Sequence, residues 1–349
     1  IKQLKSNQPE LKITDNIIKV VSLAGLCHDI GHLFFSHLFD DLFLPKLQNY
    51  KSLGKNVHHE ERSKFLLKYL IDEYKVNISD DELLVIGDLI SPKNNNYDNW
   101  NDKFKIGKWI FQIVSNPKNS IDVDKFDYIG RDNQAVGLRL NFEYDRIIEQ
   151  SKVINDDIHY PIKVKDDIYH MFFVRYRLHR QIYNHKTVKA IELLLVNALF
   201  MLEETENISQ FINDPKKMIS LTDSYLRFNN NQKVRDIINN IDCRKLPSLI
   251  FESIGLSEQK LEDNILLKID ELKKSGIIKT MRFKVGYISG KGKNPLKNIM
   301  FYGSKNNNII KFDSGKDFSL LINNKHQELF FRIYCMDEKF KKELFDFFN

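Results

Sequence analysis

The sequence predicts a mostly α-helical protein with a smaller mixed α/β lobe toward its C-terminal end. Apolar residues recur at helical spacing through nearly all of residues 14–204. After Asn207 short helical stretches give way to alternating segments separated by Gly- and Asn-rich turns. The chain is also large enough to bury a core, with 349 residues, 42% hydrophobic and 29% charged. This composition excludes a disordered, collagenous or coiled-coil chain. Two segments are expected, a helical core over residues 1–206 and a lobe of short helices and β-hairpins over 207–349.

Each element has its own signal. Thr14 or Asp15 can cap a helix whose apolar positions Ile17, Ile18, Val21 and Ala24 lead into Cys27-His28-Asp29. Phe65, Leu66, Tyr69 and Leu70 mark a second helix from about His59 to Glu73. Pro92 and the run Asn94 to Asn96 read as a surface loop from Ser91 to Asn101. A helix from Asp122 to Gln134 is closed by Gly137. The longest helix is expected from about Asp166 to Glu203, carrying Leu193 to Phe200 in its second half. In the lobe, Lys279 to Val285 and Asn298 to Tyr302 alternate as strands do. Lys291-Gly292-Lys293 lacks the spacing of a phosphate-binding P-loop and reads as a hairpin turn.

Several classes are excluded. No run approaches eighteen apolar residues, and no secretion signal opens the chain, so neither a membrane partner nor export is expected. Cys27, Cys243 and Cys335 are far apart and form no CxxC pair, which argues against a disulfide framework or zinc ribbon and for an intracellular, reducing compartment, cytoplasmic or nuclear. The net charge of +6, from 53 basic and 47 acidic residues, is spread along the chain. It demands no nucleic-acid footprint and suits a small polyanion equally well. A start at Ile1 reads as a fragment or as a naturally shortened chain.

The chemistry concentrates in four places. His28-Asp29, His32, His37 and Asp40 fall within a dozen residues or so, and His28 and His32 share a helical face. Imidazole and carboxylate are ligands for Zn, Fe, Mn or Mg. His58-His59-Glu60 puts imidazoles beside a carboxylate, as general acid and base work requires. Lys125, Tyr128 and Asp132 stand at i, i+3 and i+7 of one helix. Arg175, His179 and Tyr183 step by four, with His185 and Lys186 beyond. Any one of these groups is as well explained by capping or a solvated face. Together they describe a pocket for an anion beside a metal.

Four strings carry a resemblance: Leu23-Ala24-Gly25-Leu26-Cys27-His28-Asp29-Ile30-Gly31-His32, Phe35-Ser36-His37-Leu38-Phe39-Asp40, Asn119-Ser120-Ile121-Asp122-Val123-Asp124-Lys125-Phe126-Asp127-Tyr128, and Leu178-His179-Arg180 with Tyr183-Asn184-His185-Lys186. In this order and spacing the chain closely resembles the HD-domain deoxynucleoside triphosphate triphosphohydrolases, and among them the members that also carry a sterile-alpha-motif domain. Cys243-Arg244, Lys293-Asn294-Pro295 and Arg332-Ile333-Tyr334-Cys335 extend the resemblance to nearly the whole chain.

The resemblance implies an HD-domain helical core with a regulatory C-terminal lobe, acting on dNTP by water attack at the α-phosphorus. It implies a divalent metal (Fe, Zn or Mn) on His28, Asp29 and Asp124, and Mg with the nucleotide phosphates. His59 matches the proposed catalytic histidine, with Glu60, His37 and Asp40 as further catalytic candidates. His32, His37, Lys125 and Arg175 match phosphate contacts, and Tyr128, Asp132, His179, Tyr183 and Asn184 the sugar and base contacts. Arg146, Lys163, His185, Lys186 and Arg244 match a regulatory nucleotide site for GTP and dNTP activators that assemble family members into dimers or tetramers.

Departures are visible too. Asn184 replaces a family Gln, Leu33-Phe34 replaces Gly-Pro, and Ser248 and Ser304 stand where lysines are usual, with Lys305 beside the latter. The family's first metal-ligand histidine precedes the segment matching Leu4, and nothing in residues 1–27 replaces it. This chain is therefore expected to bind dNTP weakly and to turn it over poorly, because the coordination set is incomplete. The alternatives are a catalytically impaired homologue binding nucleotide or, weakly, single-stranded nucleic acid, and an HD phosphohydrolase for a cyclic or alarmone nucleotide. Metal content discriminates the first; the sugar-contact matches speak against the second.

Overall fold

The structure is a computed structural model that describes residues 1–92, 96–140, 142–255, 262–287, 294–303, 308–312, 317–319 and 326–349. The expected turn at Lys291 to Lys293, and Ser304 and Lys305, lie outside the described residues. By packing the chain divides into two compact units, each of three segments: Ile1–Gly31, His58–Leu178 and Lys291–His326 in the first, His32–Val57, His179–Gly290 and Gln327–Asn349 in the second. These units do not coincide with the expected segments 1–206 and 207–349, since each unit draws on both. Among the described residues no helix is long and apolar enough to cross a membrane.

In the first unit the Asp15–Cys27 helix is capped by Thr14, whose side chain accepts from the Ile17 N–H at 3.2 Å. Val20, Ala24, Val85, Ile86 and Leu89 are fully buried, so this helix and the Asp80–Ile90 helix bury their apolar faces against each other. The Val123–Ala135 helix ends as Gly137 predicts. Gly137 takes φ +68°, and the N–H groups of Gly137 and Leu138 return to the carbonyls of Gln134 and Asn133.

Two expectations in this unit need correction. The loop from Ser91 to Asn101 contains a helix, Tyr97–Phe104, because Trp100 is fully buried and donates its indole N–H to Asp88 at 2.9 Å. The same carboxylate accepts from the Asn96 backbone and side chain, so a turn-rich stretch is pulled into regular structure. The supposedly helical run also holds a hairpin of β1 (Lys152–Ile154) and β2 (Asp157–Pro161). Asn155 and Asp156 take φ of 51° and 63°, the two positive values a tight two-residue hairpin turn requires.

The remaining strands are β3 (Ser248–Ile254), β4 (Ile278–Gly286), β5 (Met300–Tyr302), β6 (Ile309–Lys311) and β7 (Gln327–Cys335). In the first unit β2 pairs parallel with β5, giving the order β1-β2-β5-β6. In the second unit β7 lies between β3 and β4, antiparallel to both. Phe330 to Cys335 are buried without alternation, as a central strand covered on both faces should be. Ile250, Ile269, Leu272, Ile278, Phe331, Ile333 and Leu344 form the core around it.

The long helix expected from Asp166 to Glu203 is three elements: Lys165–Leu178 in the first unit, then a π-helical turn His179–Tyr183 and the Lys186–Glu206 helix in the second. The break has a local cause. The Asn184 N–H bonds to the His179 carbonyl five residues back at 3.0 Å, and its side-chain amide donates to the same oxygen at 2.9 Å. His185 then turns to φ −59°, ψ 143° and caps the next helix through its ring Nδ1.

Candidate active site

His28 follows the last residue of the Asp15–Cys27 helix, and Asp124 is the second residue of the Val123–Ala135 helix. His28 Nε2 lies 3.3 Å from Asp29 Oδ2 and 3.3 Å from Asp124 Oδ1, and one ligand atom of each residue lies within 4.8 Å of the others. The ring is oriented from behind by Nδ1–H donating to the Gly25 carbonyl at 2.7 Å. A carbonyl on the far nitrogen is the usual way a metal-binding histidine is held. Burial works against the imidazolium, but hydrogen bonds to Asp124 and Asp29 and the charge of Asp29 push its pKa up to about 10. One imidazole and two carboxylates in this geometry fit a divalent transition metal, which must displace the proton on Nε2 as it binds.

The trio adjoins a cationic group. Asp122 is buried and caps the Val123–Ala135 helix, accepting from the Lys125 N–H at 3.1 Å and from the Asn116 N–H at 2.9 Å. Both of its oxygens also take the Lys125 ammonium, at 3.1 Å, and Asp124 Oδ2 lies 3.9 Å from the same nitrogen. Burial lowers the Lys125 pKa, yet the charges of Asp122, Tyr128 and Asp124 outweigh it and hold it above the usual lysine value. Burial raises the Tyr128 pKa, so its phenol stays protonated. Arg175 is buried, and its charge acts on both Lys125 and Tyr128. Asp132 lies on the same helix, its side chain 4.0 Å from Arg131. An ammonium, a guanidinium and a phenol beside this carboxylate-rich trio are suited to a phosphorylated ligand.

His59 opens the His59–Tyr74 helix, with Nε2 3.7 Å from Glu60 Oε1. The second unit holds His32, His37, Asp40, His179, Tyr183 and Asn184. There His32 and His37 meet edge to face at 4.9 Å, and His37 Nδ1 lies 3.9 Å from Asp41. Asp40 is in the π-helical turn Leu38–Phe43. His179 and Tyr183 also meet edge to face at 4.9 Å, and Asn184 is buried. Of the regulatory set, Arg146 pairs with Asp167 at 3.1 Å and donates to the Lys163 carbonyl, whereas His185, Lys186 and Arg244 are exposed in the second unit. Ser248 donates to Glu338 at 3.1 Å.

Four residues around the site went unnoticed in the sequence: Gly31, Arg62, Ser63 and the anchoring role of Asp122. Only Asp122 gave a usable sign, an N-cap aspartate three residues ahead of a lysine.

No family model matches the chain. It is 34% identical over 97% of its length to the deoxynucleoside triphosphate triphosphohydrolase SAMHD1 homolog of Dictyostelium discoideum, of which it spans 66%. It is 32% identical over 99% of its length to a putative HD domain-containing protein of Acanthamoeba polyphaga mimivirus, spanning 78% of that protein. The human deoxynucleoside triphosphate triphosphohydrolase SAMHD1 is 26% identical over 95% of the chain, which spans 60% of it. The chain spans about two thirds of the length of the Dictyostelium protein.

Proposed function

The chain belongs to the family of HD-domain deoxynucleoside triphosphate triphosphohydrolases, and from that premise we propose that it hydrolyses dNTP to deoxynucleoside and inorganic triphosphate. One observation carries the reading. The trio His28, Asp29 and Asp124 and the group Lys125, Tyr128 and Arg175 adjoin in one compact unit, with Asp124 touching both His28 and Lys125. In this reading His28, Asp29 and Asp124 hold a divalent metal, which when bound supplies a Lewis acid and an acidified water. Lys125 and Arg175 neutralise the triphosphate, and Asp122 keeps the Lys125 ammonium charged and aimed.

His59, paired with Glu60, is the candidate proton carrier between the attacking water and the 5′-oxygen that leaves. Family resemblance assigns further phosphate contacts to His32 and His37, a proton-handling role to Asp40 and His37, and sugar and base contacts to Tyr128, Asp132, His179, Tyr183 and Asn184. It assigns activator phosphates, GTP or dNTP, to Arg146, Lys163, His185, Lys186 and Arg244, and with them assembly into a dimer or tetramer.

The test is direct. Purified chain is incubated with each dNTP and with Mn, Fe, Zn or Mg, and triphosphate release is followed by chromatography alongside elemental analysis for bound metal. Asp124→Asn, which keeps the side-chain volume, is expected to reduce turnover at least a hundredfold and to lower metal occupancy. Full activity in that variant removes Asp124 from the metal set.

A further inference from the structure

The turn carrying His28 and Asp29 is gripped by the first turn of the helix that begins with His59. Ser63 Oγ donates to the His28 carbonyl at 2.6 Å and accepts from the Gly31 N–H at 2.9 Å, so one hydroxyl bridges both ends of the four-residue segment His28 to Gly31. Arg62 Nε donates to the Gly31 carbonyl at 2.7 Å. Ser63 and Arg62 are both fully buried. The fit is close: a Cβ on Gly31 would fall 2.3 Å from the His59 carbonyl oxygen and 2.4 Å from the Ser63 nitrogen.

These contacts tie together residues with different tasks. Without Ser63 the His28 carbonyl and the Gly31 N–H would face a buried surface with nothing to bond, and the backbone would move to find water. Such movement would swing His28 and Asp29 together, since both lie between the two anchored groups. It would also change their distance from His59, whose own carbonyl is the wall against Gly31. A buried guanidinium is costly unless its donors are used, and Arg62 uses one of them on this turn.

We propose that Ser63 and Arg62 are positioning residues that fix the His28-Asp29 turn in metal-binding geometry and in register with His59. The proposal rests on the reading of His28 and Asp29 as metal ligands, and the experiment separates the two. Co(II) is titrated into the full chain and into Ser63→Ala, Arg62→Met and Arg62→Lys, recording affinity and the visible absorption of the bound ion. Gly31 amide exchange and thermal unfolding are measured on the same proteins. Ser79→Ala serves as the control for general destabilisation, since it removes a helix cap in the same unit away from this turn.

Ser63→Ala and Arg62→Met are expected to weaken Co(II) binding by about tenfold to a hundredfold and to shift the absorption bands, as loss of an outer partner does in other metal sites. Arg62→Lys should recover part of the affinity, and Ser79→Ala should lower the melting temperature with the spectrum unchanged. Unchanged Co(II) affinity and spectrum in both Ser63→Ala and Arg62→Met would overturn the proposal. If the unaltered chain binds no Co(II), the metal reading fails by itself. The grip is then judged by exchange: a Gly31 amide that exchanges at least tenfold faster in Ser63→Ala than in Ser79→Ala supports it, and equal rates refute it.

Discussion

Two short interruptions of helix carry chemistry-bearing residues here, and they are held in opposite ways. In the first unit, His28 to Gly31 is fixed by direct backbone contact, a glycine with no room for a methyl group and a serine hydroxyl used in both directions. In the second unit, Asn184 to Lys186 is held at arm's length by β7. There Arg332 donates to the Asn184 carbonyl at 2.6 Å and the Tyr334 hydroxyl donates to the Lys186 carbonyl at 3.0 Å. Arg332 is itself paired with Glu252 at 2.5 Å and lies over the rings of Phe283 and Phe330, at 5.1 and 5.5 Å. A close backbone fit leaves a segment one position. Long side chains tied to a sheet let a segment follow that sheet, which suits residues whose proposed partners are a sugar and an activator phosphate.

The sharpest way to break this comparison is to add one methyl group at the rigid end. Gly31→Ala drives a carbon into two backbone atoms that cannot rotate aside, so it should cost about 3 kcal/mol of stability, at the upper end of overpacking effects. Chemical denaturation measures this. A loss below about 1 kcal/mol would mean that the turn yields easily and that the two regions do not differ in stiffness.

At the other end, Arg332→Met keeps the hydrophobic stem and removes the guanidinium. Glu252 is about a third exposed and can regain water, so the expected loss is about 1 to 2 kcal/mol, less than for a fully buried pair. The bend should loosen, and amide exchange at Asn184 to Lys186 should quicken while Gly31 stays protected. Equal quickening in both regions would show that stability alone had fallen.

The difference between the regions also decided how much of the site could be read from the sequence. His28, Asp29 and Lys125 stand out as candidates by residue type, because ligand and phosphate chemistry admits few side chains, whereas Asp124 is singled out only by the family resemblance. The helices over Asp15–Cys27 and Val123–Ala135 follow from apolar spacing and caps that act over a few residues. Arg62 and Ser63 look like ordinary polar positions of an amphipathic helix, since their partners lie 31 and 35 residues away. The break at Asn184 was hidden for a related reason. The stripe Arg175, His179, Tyr183 assumes four-residue steps, and the π-helical turn replaces one of them with five. The β1–β2 hairpin was legible in Asn155-Asp156, but the surrounding helical pattern outweighed it.

The smallest effect concerns alkaline pH and only one of the two regions. Burial, the larger influence, pushes the Tyr334 pKa up to about 12, against the opposing pull of Arg332 and with added push from Glu252 and Glu192. A tyrosine is about 10 when unfolded, so the folded state favours the protonated phenol. Its contribution to stability is complete below pH 10 and is lost as pH rises from about 10 through about 12. Ionisation also removes the proton that Tyr334 gives to the Lys186 carbonyl, so the bend should loosen over that window. The turn at His28 to Gly31 relies on a serine hydroxyl and a guanidinium, neither of which titrates there. Tyr225 is likewise pushed to about 12, so the alkaline transition of the unaltered chain contains more than one phenol. Tyr334→Phe isolates the one that matters: followed by near-ultraviolet circular dichroism and phenolate absorbance, it should lose one phenolate from the late step and show less pH dependence of stability between pH 10 and 12. If the two proteins respond identically to alkali, the Tyr334 bond does not hold the bend, and the sheet's grip on it reduces to Arg332.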